Sequence, residues 1–163
     1  MRAFTAPLDS LEEYGQIKER IKKNQGVLQV SGCIDSQKSH FIYCIGKNYG
    51  QKLILTYSDL RAREIYENYR FFDQNVLIYP ARDLMFYNAD IQSHQIGMQR
   101  MMVQKSLMEE EDITVIATLP ACMERILPLA YVQDHVLEFQ NDSSLDLQKL
   151  SAQLVEMGYE KMP

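Results

Sequence analysis

Four short apolar runs, separated by helical patterns, constrain the fold of this chain more than any other feature of the sequence. The runs are Val27–Val30, Lys52–Tyr57, Val76–Tyr79 and Ile113–Ala117, and each is rich in Val, Ile or Leu. Runs of this length and composition predict buried β-strands. Because strands that alternate with helices form right-handed crossovers, we expect an α/β fold, a parallel sheet flanked by helices.

The helical patterns have recognisable start and stop signals. Before the first run, apolar residues recur at three- and four-residue spacing from Leu11 to Ile21, and Ser10 with Glu13 matches a capping box. Further helices are predicted over Lys38–Lys47, after a cap at Ser58 or Asp59, from Ser93, over ACMERIL, and from Asn141 to a stop at Gly158, with one more strand at Val136–Phe139.

Two of these helices have expected buried sides. They are Leu60, Ile65, Tyr69 and Phe72 after the cap at Ser58, and Ile96, Met98, Met101, Met102 and Leu107 on the helix from Ser93. The methionines, with Met108, are predicted to pack in the core. A Met-rich face is alternatively a surface that receives another domain.

The segment after the first run matches a nucleotide-binding loop with one position changed. Gly32, Lys38 and Ser39 fit the pattern G-x-x-x-x-G-K-[ST], but Gln37 replaces the second glycine. That glycine normally lets main-chain N–H groups approach the phosphates, and a long side chain obstructs the approach. We therefore predict a P-loop NTPase (RecA-like) fold whose nucleotide site, Gly32, Lys38 and Ser39, is degenerate.

Two interpretations of Lys38 and Ser39 are open. Lys38 could neutralise a phosphate and Ser39 could ligate magnesium, or both could lie in the first turn of an ordinary helix. The ordinary helix is favoured because motif matches with a broken position are mostly inert. No convincing metal-binding carboxylate follows the strands either; Ile113–Ala117, for example, leads to Thr118 and Leu119. Without that carboxylate and a base to position water, phosphoryl transfer lacks its parts, so no catalytic residue is expected here.

Composition limits the other classes of function. A chain of 163 residues is long enough for one core, so we expect a single domain over residues 1–163. The net charge of −5 argues against general electrostatic binding of nucleic acid. Cys33, Cys44 and Cys122 are unsuited to a zinc site, so no metal is expected. The three cysteines are widely separated, which favours the reducing cytoplasm. The sequence has no apolar run of about 18 residues and no signal peptide, so we expect no membrane contact and no export.

Three arginines on the helix after Ser58 form a candidate DNA contact. Arg61, Arg63 and Arg70 could meet DNA phosphates. Alternatively they lie on a solvated face and pair with Glu64 and Glu67 at helical spacing. The second interpretation is favoured.

The order of these segments resembles a known family. After the first strand and loop come LILTYSDLRAREIYENYRFF, VLIYPARDLMFYNADIQSHQIGMQRM, ITVIATLPACMERILP and LVEMGYEKMP. This arrangement resembles the N-terminal region of the bacterial transcription-repair coupling factors (Mfd), which is similar to the first domain of the excision-repair protein UvrB. The resemblance covers nearly the whole chain. Its most specific parts are Tyr79, Pro80, Asp83 and Tyr87, the pair Gln99 and Arg100, and the ending Leu154–Tyr159.

The resemblance implies a degenerate superfamily 2 helicase-like domain that is a fragment of a larger protein. In the family the motor that uses ATP and magnesium lies downstream, so no cofactor is expected in this region. UvrA is expected to bind through the adjoining module, to which residues 136–163 would begin the connection. RNA polymerase and DNA are expected partners of the full protein, and this chain would also contact the other domains of that protein.

One departure from UvrB follows from spacing. UvrB carries a long hairpin that clamps damaged DNA, but only about a dozen residues separate Tyr79 from Ser93 here. The hairpin is therefore missing, as it is in the coupling factors.

Three functions are consistent with these patterns. The leading one is a non-catalytic scaffold that helps to recruit nucleotide excision repair proteins to stalled RNA polymerase. The alternatives are a residual ATP-binding domain that uses Lys38, and a module that binds the DNA backbone through its arginine helix.

Overall fold

One parallel sheet organises the chain in the computed structural model, which describes residues 2–24, 26–82, 89–137, 139 and 146–160. Within these ranges the strands are β1 (Lys52–Thr56), β2 (Val76–Tyr79) and β3 (Thr114–Thr118). Their order is β1-β3-β2, and both neighbours run parallel to β3. The predicted α/β class is confirmed as a small three-stranded parallel sheet flanked by helices.

Helices connect and cover the strands. In the described ranges they are α1 (Arg2–Asp9), α2 (Glu12–Lys22), α3 (Asp35–Gly46), α4 (Asp59–Tyr69), α5 (Ala89–Glu109), α6 (Leu119–Met123), α7 (Leu129–Asp134) and α8 (Leu147–Glu156). The chain divides into two compact units, Met1–Glu124 and Arg125–Pro163. The sheet and α1–α6 belong to the first unit, and α7 and α8 to the second.

The central strand β3 is buried along its whole length because helices pack on both faces of the sheet. On one face the buried cluster comprises Ile116, Tyr14, Tyr43, Cys44, Ala62, Tyr69 and Val76, which brings α2, α3 and α4 together. On the other face it comprises Val115, Ala117, Tyr79, Val103 and Ala121, which joins α5 and α6 to the sheet. This two-sided burial explains why TVIAT reads as a continuous apolar and β-branched run.

The amino-terminal region differs from the prediction. Helix α1 contains Pro7 and was not predicted. The capping box is wrong: Leu11 occupies the cap position of α2 without a side-chain hydrogen bond, and Ser10 Oγ instead donates to the Pro7 carbonyl at 2.9 Å. Helix α2 is fixed to α3 by the buried Tyr14, whose hydroxyl donates to the Cys44 carbonyl at 2.9 Å.

The strand predicted at residues 27–30 is also wrong. Among the described residues these four pair with no strand, and Val27 is 96% exposed. An apolar run indicates that burial of its side chains is favourable. A β-strand also requires a neighbouring strand that pairs with its main chain, and the run does not provide one. The order of strand, loop and helix that a P-loop needs is therefore incomplete here.

Helix α5 packs on the sheet with only part of its predicted side, because Leu107 faces the core whereas the predicted methionines do not. The side chains that face the core are Arg100, Val103 and Leu107. Met98, Met101 and Met102 are 64%, 66% and 66% exposed, so their predicted core packing is wrong. The helix has apolar residues on both sides, and periodicity alone did not separate the two.

Exposed apolar residues also correct the predictions for β1 and α4. Leu53 and Leu55 of β1 are exposed, because the described helices cover only the opposite face of this strand. Leu60, predicted to be buried in α4, is 71% exposed. The start of α4 is as predicted: the Ser58 side chain accepts a hydrogen bond from the Arg61 amide at 3.2 Å.

In the second unit, α8 has the predicted end. Asp146 caps its start by accepting from the Gln148 and Lys149 amides. Gly158, at φ +93°, ends it, and the Tyr159 amide donates to the Leu154 carbonyl at 3.0 Å.

Other predictions fall partly or wholly outside the described residues. Residues 136, 137 and 139 belong to no strand, and residue 138 is not described. Asp83 and Tyr87 lie outside the described ranges, as do residues 141–145. No helix in the described ranges is long and apolar enough to cross a membrane.

Candidate functional site

The carboxyl edge of the sheet gathers the ends of the three strands and the starts of three helices. Helices α4 and α6 begin directly after β1 and β3, and both have side-chain caps, Ser58 and Thr118. Helix α3 begins beside α4, because Asp35 at its first position contacts Arg61. In open α/β sheets, ligands bind outside the carboxyl ends of the strands. This edge is therefore the candidate site.

A charge network at this edge brings together residues of two separately predicted sites. Asp35 Oδ1 accepts from Lys38 Nζ at 2.7 Å and from Arg61 Nη2 at 2.9 Å. Arg61 Nη1 donates to Glu64 Oε2 at 2.9 Å. The hydrogen bond from Lys38, followed by the charge of Arg61, lowers the pKa of the Asp35 carboxyl. The network thus contains two cations and two carboxylates.

Two main-chain amides of the predicted nucleotide loop are already hydrogen-bonded within helix α3. The amides of Gln37 and Lys38 both donate to the Ile34 carbonyl, at 3.0 and 3.2 Å, so they belong to the first turn of α3. Ser39 is buried, and Gly32 adopts φ +88°. Lys38 and Ser39 thus lie in a regular helix, the ordinary arrangement considered above, and nucleotide binding stays a prediction.

The three arginines of α4 do not lie on one face. Positions two apart on a helix point in nearly opposite directions, so Arg61 and Arg63 diverge, whereas Arg63 and Arg70, seven apart, share a side. Arg70 Nη1 lies 3.7 Å from Glu67 Oε2, and its guanidinium lies 5.4 Å from the Tyr66 ring centroid. Pairing with Glu64 and Glu67 at helical spacing is what the alternative interpretation predicted. DNA binding stays a prediction.

A buried arginine beside the end of β2 was not predicted as a site residue. The Arg100 side chain is only 5% exposed. Its Nη1 donates to the Pro80 carbonyl at 2.8 Å and lies 3.0 Å from Glu124 Oε2, and its guanidinium stacks 4.2 Å from the Tyr79 ring centroid. Glu124 Oε1 also accepts from the Arg82 amide at 2.6 Å. We refer to Arg100, Glu124, Tyr79 and Pro80 as the arginine clamp.

The sequence contained a signal for this clamp. Arg100 lies three and seven residues before Val103 and Leu107, so it shares their side of α5. Placing those two residues on the sheet would have placed Arg100 there too. Burial raises the pKa of the Tyr79 phenol, and the positive charge of Arg100 partly opposes this.

Four large, exposed apolar residues belong to the segments at the carboxyl edge. Ile34 and Leu60 directly precede Asp35 and Arg61 in the sequence. Tyr57 and Leu119 directly follow Thr56 and Thr118, which are in register where β1 and β3 end. Tyr57 is 82% exposed and Leu119 is 58% exposed. We refer to Ile34, Tyr57, Leu60 and Leu119 as the edge patch. In the described ranges, no group of three or more His, Cys, Asp or Glu is arranged to hold a metal ion.

Comparison with known proteins finds sequence similarity between this chain and one kind of protein. No protein-family model matches the chain. UvrABC system protein B of Treponema denticola is 25% identical over 124 residues, which covers 67% of this chain and 19% of that protein. UvrABC system protein B of Treponema pallidum, strain Nichols, is 27% identical over 124 residues, with 67% and 18% covered. The chain therefore spans about a fifth of the length of these relatives. The similarity supports a UvrB-like domain.

Proposed function

We propose that this chain is a UvrB-like scaffold domain of a protein that works with the nucleotide excision repair machinery. The observation that carries the proposal is the similarity to UvrB proteins over two thirds of the chain. More specifically, we propose that it is the N-terminal domain of a transcription-repair coupling factor, which helps to bring excision repair proteins to stalled RNA polymerase. The short spacing between Tyr79 and Ser93 favours the coupling factor over UvrB itself.

As a scaffold, this domain is proposed not to hydrolyse nucleotide. In this proposal the fold is a degenerate P-loop type. Its motif lysine, Lys38, is held by Asp35, and the glycine before it is replaced by Gln37 within the first turn of α3. ATP and magnesium would then act in a motor elsewhere in the protein, and the domain would contribute shape and contacts.

A binding titration with UvrA tests the repair role. Purified UvrA is titrated against the full protein that carries this chain, and we expect saturable binding with a Kd of about 1 μM or below, which corresponds to roughly −8 kcal/mol. The matched variant replaces Tyr57 and Leu60 with Ser, which removes half of the edge patch. Unchanged affinity in this variant places the contact outside these two residues, as expected if UvrA binds through the adjoining module, and reduced affinity assigns the contact to the edge patch. Lack of binding by the parent protein contradicts the repair role.

A second candidate is favoured by the position of Arg63 and Arg70 on one side of α4. These two arginines could contact the DNA backbone. In that case affinity for duplex DNA would fall steeply with salt, and Arg63→Glu would weaken it for all sequences alike. Affinity that is insensitive to Arg63→Glu excludes this candidate.

A further inference from the structure

Asp35 is the point where two helices and two cations meet. Lys38 reaches it from the next turn of α3 and Arg61 reaches it from α4, 26 residues further along the chain, and both bond to the same oxygen, Oδ1. A single exposed ion pair contributes little. Two cations fixed on one oxygen, however, form an arrangement that matches how proteins hold one oxygen of a phosphate group.

The other acid of the network leaves this arrangement intact. Glu64 bonds to Arg61 through Nη1, whereas Asp35 uses Nη2, so the two carboxylates accept from different nitrogens of the guanidinium. If Asp35 lost its charge, Lys38 and Nη2 of Arg61 would have no anion among the contacts of this network. The Ser58 cap also holds the start of α4, through the Arg61 amide, in place.

We propose that Asp35 is a built-in anion that keeps Lys38 and Arg61 from binding phosphate groups. The carboxylate occupies the position of a phosphate oxygen and repels any second anion. The inference rests on the proposed lack of nucleotide binding and supplies its cause: the domain is closed by its own side chain as well as by Gln37. Removal of that one charge opens a site for a polyphosphate.

The experiment compares inorganic pyrophosphate binding by the parent chain and by Asp35→Asn, using calorimetric titration at low salt. We expect Asp35→Asn to bind about tenfold more tightly, because two competing ion pairs and one repulsion are removed. The gain should shrink as salt is added. Asp35→Ser provides a second variant, since it removes the same charge with a shorter side chain and leaves Lys38 and Arg61 unchanged in the sequence.

The matched control is Asp9→Asn. Asp9 is an exposed carboxylate whose Oδ1 accepts from Lys18 Nζ at 2.9 Å, so this variant removes the same charge and also breaks an ion pair. The hydrogen bond from Lys18 lowers the pKa of the Asp9 carboxyl, so this ion pair resembles the pair of Lys38 with Asp35. Asp9 belongs to α1 and pairs with α2, so it is not a member of the charge network.

The possible outcomes separate this inference from the proposed function. A gain in Asp35→Asn that is lost in Asp35→Asn/Lys38→Met and absent in Asp9→Asn supports the inference. No gain in either Asp35 variant, a gain that survives Lys38→Met, or an equal gain in Asp9→Asn overturns it. Tight binding of ATP and magnesium by the parent chain, lost in Lys38→Ala, would instead overturn the proposed absence of a nucleotide site.

Discussion

Arg100 carries a positive charge into a site where its side chain is almost completely enclosed, and three neighbours compensate for the lost water. The Pro80 carbonyl, the Glu124 carboxylate and the face of the Tyr79 ring all contact its guanidinium. Asp35 shows the opposite arrangement, with exposed ion pairs that contribute little to folding. The contacts of Arg100 are therefore expected to stabilise the fold, whereas those of Asp35 mainly determine the charge at the carboxyl edge.

Replacement of Arg100 by Met should lower the free energy of unfolding by about 2 to 4 kcal/mol, because Glu124 keeps only the more distant Arg82 side chain, 3.8 Å away, as a cation and the Pro80 carbonyl loses a donor. Urea denaturation followed by circular dichroism measures the change. Adding Glu124→Gln should restore part of the loss. The control Arg63→Met, on an exposed side of α4, should stay within about 0.5 kcal/mol. Equal effects of the two substitutions would contradict the role of the clamp.

The helices and strands that were predicted correctly are those at which several local sequence signals agree. The three strands and α4 were found because β-branched runs and the Ser58 cap occur together. Residues 27–30 had the run without a partner strand. Helix α5 had apolar residues on both sides, so its buried face was found only at Leu107, and Arg100 was missed. The site was predicted in part: the motif located Lys38 at a real helix start, but its contact with Arg61 through Asp35 depends on the packing of α4 against α3.

The two serines predicted as caps give a test at this scale. Ser58→Ala should destabilise the protein by about 1 kcal/mol, because the Arg61 amide loses its acceptor at the start of α4. Ser10→Ala should change stability by less than about 0.5 kcal/mol, since Ser10 caps no helix start and its exposed hydroxyl donates only to the Pro7 carbonyl at the end of α1. Thermal and urea unfolding of the two variants provide the comparison. A larger loss for Ser10→Ala would show that the amino-terminal helices are capped differently.

Over the whole molecule, buried tyrosines stand out among the core residues. Tyr14, Tyr43, Tyr69 and Tyr79 are buried and belong to helices or strands on both faces of the sheet. Burial is the main cause that raises the pKa of each of these four phenols. The native state therefore holds four protons that the unfolded chain releases at an ordinary tyrosine pKa of about 10.

Stability should consequently decline in alkali. The contribution of these phenols is complete below pH of about 10 and is lost as the pH rises toward their higher native-state pKa values. Urea midpoints measured from about pH 8 to pH 11 test this. In Tyr69→Phe/Thr114→Val, which removes a buried hydroxyl pair together, the decline should be smaller than in the parent chain. In Tyr57→Phe, at an exposed position, it should be as in the parent. A decline that is the same in all three proteins would assign the alkaline effect to other groups.

Strand β1 lies at the rim of the sheet, with β3 on one side and no described strand on the other. Its exposed leucines, Leu53 and Leu55, alternate along a main chain that has hydrogen-bonding groups directed outward. Open edges of this kind serve as templates for cross-β growth unless proline, charge or a cover prevents it. Beyond Lys52 the strand contains neither proline nor a charged residue, and no described strand pairs with its outer edge. We therefore expect LILT to be a segment through which the chain aggregates at high concentration.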